Sequence, residues 1–125
     1  MKTVTLLLVS ILSFVLDRID GLCAQNTSLS LMVLHAAHHI FSNYLWFGSL
    51  LAFDPRTHAI VALITLLGWM CFGWKCFVSM YYNAKCGNPE DLHHNDLMYR
   101  LSKRFGFKYS WIILVVFLYD FYLIK

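Results

Sequence analysis

The stretch Leu31 to Phe53, LMVLHAAHHIFSNYLWFGSLLAF, decides the fold. It contains no Asp, Glu, Lys or Arg, and as a helix rising 1.5 Å per residue it is long enough to cross roughly 30 Å of hydrocarbon. Asp54-Pro55-Arg56 ends it, because Pro55 has no N–H to continue the ladder. At 100° per residue His35, His38 and His39 fall on one side of this helix, in line with Ser42, Trp46 and Ser49. A polar stripe on an apolar helix is costly in lipid, so it is expected to face other helices.

Working outward, a second apolar run from about His58 to Tyr82 forms a tight helical hairpin with the first. Tyr109 to Ile124 is another, bounded by Lys108 and Lys125. At the start, residues 3–22 read either as a retained span or as a cleaved secretory signal, with Lys2 before the apolar core. The fold class expected is therefore all-α, an integral membrane bundle of four spans (3–22, 31–53, 58–82 and 109–124), or three if the signal is removed. Residues 83–108 form the one polar loop, in which Asp91 to Arg104 is expected to be a short amphipathic helix on the membrane surface.

Composition agrees. The chain has 125 residues, 59% hydrophobic and 14% charged, with mean hydropathy +0.60. An ordinary globular domain is about a quarter charged. One domain is all this length allows, and no separate catalytic domain fits beside the spans. The net charge of +3 is mixed with Glu90, Asp91 and Asp96 in the polar loop, which argues against nucleic acid and for a lipid bilayer as partner. Orientation stays open. The positive-inside rule puts Lys85, Arg100, Lys103, Arg104 and Lys108 in the cytoplasm, whereas the acceptor triplet Asn26-Thr27-Ser28 would be glycosylated only on the opposite side.

The candidate site is histidine-rich. With four spans, the start of the second and the loop after the third share one membrane face, which gathers His35, His38, His39, His93 and His94. Neutral imidazoles suit zinc, iron or copper, and two on separate helices can hold a haem. Against this stands the interfacial reading, in which the same rings bond to backbone, hydroxyls or head groups. The H-x-x-H-H spacing is similar to one histidine box of membrane di-iron desaturases and hydroxylases, without their further boxes.

Lys75 interrupts the third span; its stem can snorkel to the head groups, or its ammonium can pair with Asp120. Cys23, Cys71, Cys76 and Cys86 make no C-x-x-C motif. On a lumenal face, Cys23 and Cys86 can form a disulfide, with Cys76 as a competitor. No selectivity-filter sequence, acidic ring or Arg-rich sensor helix is present, so a pore would require self-association.

From Leu31 to Pro89, Leu34-His35, Gly48 to Leu51, His58 and Gly68-Trp69-Met70-Cys71 occur in an order that resembles a family of small uncharacterised multi-span membrane proteins. In that family Leu-His opens one span and Gly-Trp-x-Cys, followed by Pro-Leu-Thr, closes the next. Here Phe72-Gly73 follows Cys71 instead. The resemblance implies a multi-span fold and carries no activity. The role expected is a small structural or accessory subunit of a membrane assembly, with a metal- or haem-binding redox protein as the alternative and an oligomeric pore or transporter as a second. No catalytic residue is signalled.

Overall fold

In the computed structural model the described residues are 1–20, 28–85 and 96–125. They form helices α1 (Lys2–Asp20), α2 (Leu29–Phe47), α3 (Pro55–Cys71), α4 (Phe77–Lys85), α5 (Leu97–Phe105) and α6 (Tyr109–Ile124). No strand occurs among them, so the chain is all-α. Asn26, Cys23, Cys86, Glu90, His93 and His94 lie outside the described residues, and with them the expected sequon, disulfide and loop histidines.

Two helix pairs make the bundle, α1 along α2 and α3 along α6. The central helix, α2, also touches α3, α4, α5 and α6. The long helices run antiparallel. Lys2 at the start of α1 donates through Nζ to the Ala52 carbonyl after α2, while Asp17 near the end of α1 meets His35 near the start of α2. One end of the bundle thus holds the α1 start, the α2–α3 connection and the end of α6.

Three expected boundaries shift, each for a local reason. The segment after α2 closes in a Schellman motif: Phe53 N–H donates to Gly48 O at 3.1 Å and Ala52 N–H to Ser49 O at 3.2 Å. Ala52 takes the left-handed conformation this requires, φ 61. Asp54 then caps α3, its carboxylate accepting from Thr57 N–H at 2.9 Å and Thr57 Oγ1 at 2.6 Å, with Pro55 in the first turn. Those bonds hold the Asp54 carboxyl below its ordinary value.

The third expected span breaks after Cys71. Gly73 and Trp74 have φ 65 and 66, and the Trp74 N–H reaches back to the Trp69 carbonyl, so α3 stops and α4 starts in a new direction. Lys75 sits half-buried in this break, not inside a helix. The amphipathic helix of the polar loop is observed as α5, beginning where Asp96 caps it through Tyr99 N–H at 2.7 Å and ending on left-handed Gly106.

The apolar core is small: Leu45, Trp46, Ala62, Trp69 and Ile113, with the two indoles 6.0 Å apart. Buried polar side chains outnumber buried apolar ones among the described residues. On α1 the inward positions are Leu6, Ser10, Ser13 and Asp17, while Val4, Leu7, Leu8, Ile11, Leu12, Val15 and Ile19 face outward. Among the described residues no helix is both long and apolar enough to cross a membrane by itself. Part of the reason is visible in the sequence and part only in the structure. Charge enters α1 at Asp17 and Arg18, and α3 and α6 run to only 17 and 16 residues.

Candidate functional site

Two buried histidine–carboxylate clusters sit toward opposite ends of α2. The first lies between α1 and α2. His35 and His39 are one turn apart on α2, and both direct Nε2 at the same oxygen of Asp17. His39 Nε2 is 3.0 Å from Asp17 Oδ2 and 2.9 Å from His35 Nε2. His35 Nε2 is hydrogen-bonded to the same carboxylate oxygen. The outer nitrogens are also held: His39 Nδ1 by Ser13 Oγ at 2.6 Å, His35 Nδ1 by Tyr82 Oη of α4 at 2.8 Å.

Phe14 places its ring edge-on to both imidazoles, with centroids 5.3 and 5.9 Å away. One turn further along α2, Asn43 donates to the His39 carbonyl at 2.9 Å, and its own carbonyl oxygen has no partner. His35, His39, Asn43, Ser13 and Asp17 are all buried.

The second cluster joins three helices. The His58 Nδ1–H donates to Asp120 Oδ2 at 2.6 Å, and Ser49 Oγ–H donates to the other Asp120 oxygen. His58 Nε2 faces the carbonyls of Tyr44 and Leu45 at 2.9 and 3.0 Å. Ser49 and Asp120 share the Nδ1 side while Nε2 is held by backbone, so this is not the arrangement in which a histidine activates a serine nucleophile. It is a latch tying the ends of α2 and α6 to the start of α3. Gly48 makes room for it, since a Cβ there would meet His58 Cδ2 at 2.6 Å and Nε2 at 2.9 Å.

A third polar tie fixes α5 to α2, where Trp46 Nε1–H donates to Asp96 Oδ2 at 3.0 Å.

Set against the sequence, the three α2 histidines do not act together. His38 turns away from Asp17 toward Cys76, whose Sγ lies 3.4 Å from its Nε2. The reason is helical geometry. From His35, a step of four residues moves about 40° one way and a step of three about 60° the other. Thus α1 covers one edge of the stripe, and α3 and α4 cover the other. The pairing of Asp120 with Lys75 is also corrected: its oxygens are taken by His58 and Ser49.

Sequence alone does not assemble Asp17, Ser13 and Tyr82 around His35 and His39. The available signal was the spacing Ser10-x-x-Ser13-x-x-x-Asp17, which lines one face of α1 with small or acidic residues. No protein-family model, curated protein or solved structure matches the chain.

Proposed function

We propose that the chain works embedded in a lipid bilayer, as a small multi-span structural or accessory subunit of a membrane assembly. The observation that carries this reading is the inverted polarity of the bundle. Serines, histidines and aspartates pack between helices while leucine, valine, isoleucine and aromatic side chains face outward. In water such a surface would associate without limit; in lipid it is the ordinary exterior.

Helix length and the polar residues bear on the same point. Helices of 16 to 19 residues span about 24 to 28 Å, short of the average hydrocarbon core by an amount that local thinning or association with other helices absorbs. Asp17 counts against α1 in any hydropathy sum, yet its carboxylate is covered by His35 and His39 and does not face lipid. Each long helix is tied to another by buried hydrogen bonds, which is the construction expected of a scaffold. On α6, Trp111, Leu114, Val115, Leu118 and Phe121 leave an apolar face for lipid or for a neighbouring subunit.

The test is expression of the tagged chain, alkaline extraction of membranes, and native sizing after mild detergent. Retention in the extracted membrane with migration above the monomer is the expected result. Release by alkaline carbonate as a monodisperse species would overturn the membrane reading, and a detergent-solubilised monomer would overturn the subunit role.

A further inference from the structure

The geometry points to a metal site at Asp17, His35 and His39 that takes a divalent first-row transition ion. Asp17 Oδ2 and the two Nε2 atoms converge from two helices onto one buried point. Ligands about 2.0–2.1 Å from a tetrahedral zinc-sized ion lie about 3.3 Å from one another, and two of the three separations here, 2.9 and 3.0 Å, fall a few tenths of an ångström short of that. Reaching the ion needs only a small outward shift of the three side chains.

The hydrogen-bond arrangement around the rings supports the same assignment. A ligating histidine characteristically has its outer N–H held by a hydrogen-bond acceptor, which fixes the tautomer and presents the lone pair on the inner nitrogen. Ser13 Oγ and Tyr82 Oη occupy those outer positions. With Nδ1–H donated outward on both rings, two imidazole lone pairs and a carboxylate oxygen face one another in a site shielded by Phe14. Without an ion, a proton on Nε2 makes the hydrogen bonds to Asp17; a cation takes that place once both rings carry their proton on Nδ1.

Two nitrogens and one carboxylate oxygen form the donor set of zinc and of ferrous, manganous or cobaltous ions, and three protein ligands leave at least one position for water or another ligand. His35 and His39 come from one helix and aim at one point. That suits a single ion and not a haem, which needs axial ligands on opposite faces. His38, with its ring on Cys76, is not a ligand.

The test uses the full chain purified in detergent and stripped with chelator, titrated with Co2+ and Zn2+. Co2+ reports through its visible d–d bands, and Zn2+ through displacement of those bands. One equivalent is expected to bind. His39→Ala and Asp17→Asn should abolish the bands, and Ser13→Ala should weaken affinity by about 10–100-fold, the usual effect of losing an outer hydrogen bond. His38→Ala should leave binding unchanged.

Helical circular dichroism confirms that each variant is folded. Folded wild-type chain that binds no Co2+ or Zn2+ overturns the assignment, and a cluster held together by protons alone would give that result. Binding that survives in folded Asp17→Asn and His39→Ala, or that is lost in His38→Ala, overturns it equally.

Discussion

Replacing Gly48 by alanine tests how the His58 latch is built. On helix propensity alone the change should stabilise by about 1 kcal/mol, since glycine is the poorer residue at a helical φ, here −56. The structure predicts the opposite. The new Cβ would lie 2.5 Å from the Tyr44 carbonyl oxygen, 2.6 Å from His58 Cδ2 and 2.9 Å from Nε2, inside any real contact, and the ring is enclosed on all sides. Moving it breaks the Nε2 bonds to the Tyr44 and Leu45 carbonyls and pulls Nδ1 off Asp120, which is itself buried.

Overpacking costs about 1–3 kcal/mol, and disrupting a buried pair about 3–5 kcal/mol if the carboxylate stays charged. Since Ser49 still donates to Asp120, a net loss of about 2–4 kcal/mol is expected. The assay is reversible unfolding in mixed detergent micelles followed by circular dichroism, on Gly48→Ala, His58→Ala and the double variant. If Gly48 is there to admit the His58 ring, the cost of alanine at 48 should fall once His58 is gone, a coupling of at least about 1 kcal/mol, with the remainder owed to the Tyr44 carbonyl oxygen that the new Cβ also meets. An equal cost in both backgrounds would refute the reasoning.

Asp96→Ala removes the α5 cap and the acceptor of the Trp46 indole together, and should cost about 2 kcal/mol, with a red-shifted Trp emission as α5 loosens. Ala52→Gly should raise stability by about 1 kcal/mol in the same unfolding assay, because only the alanine Cβ opposes φ 61. For Asp54 the sign follows from its lowered carboxyl: the cap stabilises above the ordinary value of 3.8 and is lost as pH falls through the folded value. The gap in unfolding midpoint between wild type and Asp54→Ala should therefore be constant near neutral pH and shrink in acid; a gap that widens below pH 3.8 would contradict the cap.

Much of the architecture is written in short-range signals. Apolar runs announce the four long helices, though two of the runs extend past the ends of α2 and α3; Asp54-Pro55 fixes the start of α3, and the break between apolar segments and polar loop follows from composition. The His35/His39 spacing announces a polar face because helical period depends only on the chain itself. The helix break at Gly73-Trp74 is less legible. A glycine inside an apolar run reads as continuation unless its left-handed conformation is seen.

Which polar residue meets which is a different kind of information. Asp17 stands 18 residues from His35, and Asp120 stands 62 from His58; nothing in the intervening sequence encodes either meeting. Both depend on how α1 lies on α2 and α6 on α3, and those packings follow from the summed shape of many side chains. For that reason His38 and His39, adjacent in sequence, end in different surroundings, and Lys75 loses Asp120 to His58. The sequence by itself determined an all-α chain with polar stripes seeking partners. Only tertiary packing decided that Asp17, His35 and His39 share one point while His58, Ser49 and Asp120 share another.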